Sequence, residues 1–330
     1  MNSQGALREA RAGHGPPAPR SASVPTVSVV ICAYTVRRWQ ALLEAAESVA
    51  RQTHRALETI VVIDHEQELL GRARATLAEA RVIENTGPQG LSGARNSGVD
   101  AASGEIVAFL DDDAVADDRW LEELAGVFTD PAVVGAGGVA EPRWEQGEAP
   151  AWLPEEFYWT IGCSYRGLPT GTAPIRNPIG ATMCFRRSVL ERIDGFTDGI
   201  GRVGTTPLGC EETELSIRAR RSHPGAVLMH VPAAFVKHAV TAERLTWGYF
   251  RKRCWAEGLS KALVSGEVGS GEALSSEWTY TLRTLPGGVA RGLADALRGD
   301  AAGLQRAGAI IAGLALTAAG YLRGRMAVAR

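Results

Sequence analysis

Lysine is almost missing from this chain of 330 residues: the only three are Lys237, Lys252 and Lys261. The first two thirds therefore have no lysine with which to hold a phosphate. No GxxxxGK[ST] loop occurs anywhere, which excludes a P-loop nucleotide site. The turn Ala33-Tyr34-Thr35-Val36-Arg37 also lacks the glycines that a dinucleotide fold places after its first strand. Cysteine is sparse: Cys32, Cys163, Cys184, Cys210 and Cys254 are scattered, odd in number and form no CxxC pair. That pattern argues against a zinc site or a disulfide framework and for reduced thiols in a cytoplasmic compartment. A formal net charge of -2 gives no electrostatic case for a nucleic-acid partner. No internal repeat is visible. Residues 1–25 are rich in Ala, Gly, Pro, Ser and Arg without an apolar stretch, so a disordered tail is expected there, not a signal peptide.

What is present is an ordinary globular composition, 45% hydrophobic and 22% charged, in a chain long enough for one large or two fused domains. From residue 26 apolar runs alternate with amphipathic stretches. Strands are expected at Val27–Cys32, Thr59–Ile63, Arg81–Glu84 and Glu105–Leu110, with helices near Arg38–Arg51, Leu69–Ala80 and Leu91–Ala102. Such alternation predicts an α/β domain with a mostly parallel, Rossmann-like sheet flanked by helices. Right-handed crossovers put the C-terminal ends of these strands on one side, so Tyr34, Asp64 and Asp111–Asp113 should share one rim. Gly135-Ala136-Gly137-Gly138 sits inside an apolar run and predicts a strand with close backbone approach, not a phosphate loop.

The most informative junction is Asp111-Asp112-Asp113, which closes the run Ile106-Val107-Ala108-Phe109-Leu110. Three carboxylates at the end of a buried strand repel one another unless a cation or tight hydrogen bonding offsets it. Oxygen ligands at a strand's carboxyl end suit a hard ion, Mg2+ or Mn2+, shared with substrate phosphates. A solvated acidic turn is the alternative.

Further along, a helix is expected over Asp117–Phe128 and a strand over Ala132–Ala140. Three tryptophans, Trp144, Trp152 and Trp159, crowd the Pro-containing segment Glu141–Thr160. It reads either as a hydrophobic flap on the sheet or as a platform on which an acceptor stacks. Met183–Phe185 is strand-like, and the glycine-rich Asp194–Gly209 suggests a mobile loop. Glu211 and Glu212 open a helix running to Arg220, where acidic residues are also favoured by the helix dipole alone. Val227–Val231 and Ala234–Val236 predict two short strands, the second ending at Lys237-His238. A histidine there is a ligand candidate or a structural residue. Beyond Thr241 the chain turns helical and basic. Its apolar run Ala307–Leu322 is short for a membrane span and suits an interfacial or buried helix.

These residues together resemble the family 2 glycosyltransferases, inverting enzymes of the GT-A fold. The resemblance rests on Val27–Tyr34, Gln52-Thr53, Glu58–Asp64, Gly90–Gly98, Phe109–Asp113, Glu211–Leu215 and His238, in that order. It implies a catalytic domain over 26–240, with a nucleotide-sugar half (26–120) and an acceptor half (121–240), followed by a helical region over 241–330 that contacts a membrane peripherally. By position it places Tyr34 and Asp64 at the base or ribose of a nucleotide-sugar donor. Arg95, Asp111 and Asp112 belong to the same donor site. Asp113, helped by Asp111 and joined by His238, would hold Mg2+ or Mn2+. Glu212 would be the general base, with Glu211, Trp152 and Trp159 beside the acceptor. Two departures stand out: Asp64-His65 replaces the usual Asp-Asp, and Glu211-Glu212 replaces Glu-Asp.

Within the family, Gly162–Pro169 after the Trp-rich loop is similar to transferases that extend polyprenyl- or dolichyl-phosphate-linked sugars, some with a glucuronosyl donor. That resemblance implies a lipid-linked or cell-envelope glycan acceptor and work at the inner face of the cell membrane; a secondary metabolite is the alternative acceptor. Two rival functions remain at this level. Asp111-Asp112-Asp113-Ala114-Val115 fits the DxDx[TV] nucleophile of haloacid dehalogenase-type phosphatases. A catalytically silent nucleotide-sugar-binding protein is the other.

Overall fold

The computed structural model describes residues 24–145, 147–201, 209–268 and 279–328. Residues 1–23 of the expected N-terminal tail and residues 202–208 of the glycine-rich stretch lie outside the described residues. One nine-stranded sheet runs through the molecule in the order β3-β2-β1-β4-β8-β6-β9-β5, with β7 pairing to β9. Its first half is the expected Rossmann-like unit: β1 (Val27–Ala33), β2 (Glu58–Ile63), β3 (Arg81–Glu84) and β4 (Ile106–Asp111) are parallel neighbours. Helices α1 (Trp39–Ala50), α2 (Gln67–Thr76) and α3 (Leu91–Ala101) connect them.

The second half is of mixed polarity. Strand β8 (Thr182–Arg186) runs antiparallel to β4 and to β6 (Val133–Trp144), and β6 is parallel to β9 (Val227–Val240). The short β5 (Ala114–Ala116) and β7 (Ala173–Ile175) pair antiparallel to β9. The two short strands expected over 227–236 are thus one strand of 14 residues. Pro232, which suggests a break, sits where the β6–β9 register shifts between Gly137 and Val139, so its missing N–H removes no ladder bond. Similarly, α4 (Trp120–Gly126) starts later than expected because Asp117 Oδ1 accepts from Arg119 N and holds a turn. The Gly135–Gly138 stretch is indeed strand: a Cβ on Gly138 would stand 1.8 Å from the Ala234 carbonyl oxygen.

Side chains alternate across β1. Val27, Val29 and Ile31 face a core shared with α1 and α4, whereas Val30 joins the opposite core with Ala94 and Leu215. Such burial contributes about 1.5–3 kcal/mol per large aliphatic side chain. Together with helices on both faces, it holds the strand ends rigidly where the polar groups gather.

After α5 (Arg187–Arg192), α6 (Glu211–Arg221) and β9, the chain is helical: α7 (Trp247–Val268), α8 (Leu285–Leu297) and α9 (Ala302–Val328). Small residues let α7 and α9 approach closely. A Cβ on Gly258 would lie 2.1 Å from Thr317 O, and one on Gly320 2.3 Å from Trp255 O. The Trp-rich segment packs on this helical layer more than on the sheet. Phe157, Ile161, Phe250, Leu285 and Ile310 form a third buried cluster, with Trp144, Trp152 and Trp159 at its margin.

Candidate active site

Strand β4 ends at Asp111, and Asp112 and Asp113 lead into β5. The β5–β9 register sets Ala114 opposite His238, which carries the imidazole to the triplet. His238 Nε2 lies 3.2 Å from Asp113 Oδ1 and 3.9 Å from Asp111 Oδ2. One ligand atom from each of these three residues falls within 4.8 Å of the others. Two carboxylates and an imidazole form a donor set that fits a divalent ion such as Mn2+ or Mg2+, the former better because of the nitrogen.

Arginines close round the triplet. Arg38 NH1, on the 3-10 turn after β1, is 2.7 Å from Asp112 Oδ1 and 3.2 Å from Asp113 Oδ2. Arg244 NH2 meets Asp113 Oδ2 at 3.2 Å. Burial disfavours ionised Asp113, but His238, Arg38 and Arg244 outweigh it and hold its carboxyl well below the usual range. His238 is the reciprocal case: burial opposes its charge, yet Asp113 pushes it up to about 10. Asp112 goes the other way. Burial raises its carboxyl to about 7 despite Arg38, and its Oδ2 is buried without a hydrogen-bond partner among the described residues.

Asp64, at the end of β2, accepts from Asn85 Nδ2 at 2.7 Å and from Gly90 N at 3.0 Å. With Tyr34, Arg38, Asp111 and Asp112 it lines a small cavity of about 70 Å3, so the rim expected from the strand order does form. His65, which stands in place of a second aspartate, turns to the Gly87 carbonyl at 3.0 Å and does not line that cavity.

A larger cavity of about 680 Å3 begins at Asp111, Asp113 and His238 and extends past α6 to α7 and α9. Arg95, almost fully buried on α3, links its two sides: NH2 lies 3.5 Å from Asp111 and NH1 2.9 Å from Glu211. Glu211 is thereby an ion-pair partner. Glu212, also in the cavity wall, has only the Thr213 hydroxyl at 3.1 Å as a hydrogen-bond partner among the described residues. Burial, then Glu211 and Glu257, raise its carboxyl to about 8. A half-buried carboxylate with that basicity, without an ion-pair partner among the described residues, can take a proton near neutral pH. Of the expected acceptor residues, Trp159 lines this cavity and donates from Nε1 to Tyr280 Oη at 3.1 Å. Trp152 does not line it. Its ring packs edge-on against Trp247 and Phe250, with centroids 5.2 and 5.5 Å away, because α7 offers it an aromatic surface. Sequence reasoning missed Arg38 and Arg244. Arg38 had a usable signal, as the arginine pair directly after β1 stands at a strand's carboxyl end in a lysine-free half.

A sheet of this order and mixed polarity, with an acidic triplet at its carboxyl edge, defines a GT-A glycosyltransferase. Residues 28–194 match the model of Glycosyl transferase family 2, and the chain belongs to that family. It is 31% identical over 242 residues to the glucosyl-dolichyl phosphate glucuronosyltransferase of Haloferax volcanii, covering 72% of this chain and 77% of that protein. The pre-mycofactocin glycosyltransferase of Mycobacterium tuberculosis is 29% identical over 175 residues, 51% of this chain and 34% of that one. Among solved structures, the mannosyltransferase PcManGT of Pyrobaculum calidifontis, in complex with GDP-Man and Mn2+, has the same fold. Its TM-score is 0.54 at 18% identity, over 89% of this chain and 87% of that one. Family membership removes the phosphatase reading of the triplet.

Proposed function

We propose that the chain moves a sugar from a nucleotide-sugar donor, with UDP-sugars the first to test, onto an acceptor hydroxyl with inversion at the anomeric carbon. The observation that carries this reading is the pair of unlike carboxylate sites in one cavity. Asp111 and Asp113 converge with His238 at one end, and basic Glu212, which accepts from the Thr213 hydroxyl, stands in the wall of the same cavity. Tyr34 and Asp64 hold the base and ribose, and the unpartnered Oδ2 of Asp112 accepts from a donor hydroxyl. Asp111, Asp113 and His238 would hold a divalent ion, which supplies Lewis-acid neutralisation of the departing diphosphate. Glu212 takes the proton of the acceptor hydroxyl as that oxygen attacks from the opposite face, in a single displacement.

The test is hydrolysis of UDP-, GDP- and dTDP-sugars by the purified protein with and without metal. Chelation should abolish turnover, and Mn2+ should restore it more fully than Mg2+ at equal concentration, the imidazole nitrogen being the reason. Absence of turnover under every metal condition would leave only a silent, donor-binding protein. A transfer product with retained anomeric configuration would rule out the single displacement.

The acceptor proposed is a lipid-phosphate-linked sugar, by likeness to the Haloferax volcanii glucosyl-dolichyl phosphate glucuronosyltransferase. Its counterpart in the structure is an exposed apolar face on the last two helices. Leu297, Ile311 and Leu322 are 91%, 59% and 63% exposed. The segment Ala302–Ala327 is long and apolar enough to cross a membrane, but α9 lies along α7 over Gly258 and Gly320, which favours lying on the inner face of the cell membrane. The protein should float with anionic lipid vesicles, and a Leu297→Glu/Ile311→Glu variant should not. Wild-type protein left entirely in the soluble fraction, and active on a water-soluble glycan or secondary metabolite, would reverse this assignment.

A further inference from the structure

The large cavity has a distal wall whose cations have no part in the chemistry above. Tyr249, Arg253, Glu257 and Lys261 of α7 all line it, each four residues from the next, so they form one stripe on one helix face. Opposite in character are Leu314, Thr317, Ala318 and Tyr321 of α9, which line the same cavity at helical spacing. The α7 stripe is charged, with cations outnumbering carboxylates two to one, and the α9 stripe is mainly apolar. The Arg253 and Lys261 side chains are only 12% and 18% exposed, and both approach Glu257, at 3.9 and 3.5 Å. Glu257 in turn helps to raise the Glu212 carboxyl, and both residues line the same cavity. At the other end, Leu314 both lines the cavity and is 38% exposed. Leu314 shares α9 with the exposed Ile311 and Leu322.

A charged strip facing an apolar strip is the lining that a phosphate-headed amphiphile requires. Guanidinium and ammonium groups bind phosphate oxygens through charge-assisted hydrogen bonds, while a hydrocarbon chain gains from leaving water. Taking the glycosyltransferase reading as given, we propose that Arg253 and Lys261 bind the phosphate of an amphiphilic acceptor. Its chain runs past Leu314, Ala318 and Tyr321 to the exposed face of α9. The acceptor sugar then hangs from the phosphate toward Glu212, which makes the two cations binding residues for the acceptor rather than the donor.

Binding of dodecyl phosphate, inorganic phosphate and dodecyl maltoside to the full-length protein, each below its micellar concentration, tests the assignment by calorimetry. Dodecyl phosphate should bind at least ~10-fold more tightly than either of the others, because only it satisfies both walls. An Arg253→Gln/Lys261→Gln variant, shown folded by circular dichroism, should lose at least ~10-fold of that affinity. An Arg253→Lys/Lys261→Arg variant should recover most of it, which a merely structural role for the pair would not predict. Equal affinity for dodecyl phosphate and dodecyl maltoside would overturn the cationic subsite. Equal affinity for dodecyl phosphate and inorganic phosphate would overturn the chain path. Unaltered binding by the Gln variant would overturn both assignments. Failure of the enzymatic reading is visible separately, as absent sugar transfer by a protein that still binds dodecyl phosphate.

Discussion

Replacing Glu212 by Gln should lower the rate of sugar transfer by about 10²- to 10⁴-fold, the range a general base contributes, while donor affinity changes little. The amide keeps the shape of the side chain and its place in the cavity wall but cannot accept the proton of an attacking hydroxyl. The pH profile supplies the second half of the test. Burial, Glu211 and Glu257 raise the Glu212 carboxyl to about 8, and the group works only when ionised. Transfer should therefore climb with rising pH, with an apparent midpoint about 8, and Glu257→Gln should move that limb to lower pH by removing one negative neighbour. Steady-state rates from pH 6 to pH 10 measure both effects. A Gln variant that turns over normally would take Glu212 out of the mechanism.

The residues of the strand-end rim were legible because buried parallel strands are written as continuous apolar runs. Val27–Cys32 and Ile106–Leu110 announce themselves, and strand order then fixes where Asp64 and Asp111–Asp113 must stand. His238 was legible only as an isolated residue. Its partnership with Asp113 depends on the β5–β9 register, a pairing between segments over a hundred residues apart that no local pattern encodes. The two short strands expected over 227–236 are one because a register shift against β6 takes up Pro232.

The cations were harder still. Arg38 and Arg244 come from turns on opposite sides of the chain, and ordinary surface arginines look the same in sequence. Trp152 and Trp159 looked alike too, seven residues apart in one Trp-rich segment. Only the position of α7 decides that the first packs on Trp247 while the second faces the cavity. The Glu211-Glu212 pair was ambiguous for the same reason: whether a first-turn carboxylate is paired depends on Arg95, more than a hundred residues earlier. The geometry separates them into one ion-pair member and one basic carboxylate.

Asp113→Asn should produce the other large effect, and on two measurements at once. Asp113 is where the site's charges meet, with His238 on one oxygen and Arg38 and Arg244 on the other. The amide cannot balance those cations, so transfer should fall at least ~10²-fold and its stimulation by Mn2+ should disappear. Removing one partner from a buried charge network also costs about 3–5 kcal/mol, to be read from denaturant unfolding. The pH dependence of stability in metal-free protein separates these charges from simple packing. His238 is raised by Asp113 to about 10 against the opposing effect of burial. A raised histidine contributes stability fully present below its unfolded value of about 6.5 and lost as pH climbs through its folded value. Wild-type protein should therefore weaken between pH ~6.5 and about 10, and Asp113→Asn should lose most of that decline because its imidazole keeps only the more distant Asp111 carboxylate, 3.9 Å away. The Asp113 carboxyl is depressed, so its own contribution is fully present above its unfolded value of about 3.9 and is lost progressively as pH falls from there through its much lower folded value. A variant with the alkaline decline and the Mn2+ response both intact would show that the charge balance is held elsewhere, with Asp112 and Arg38 the first place to look.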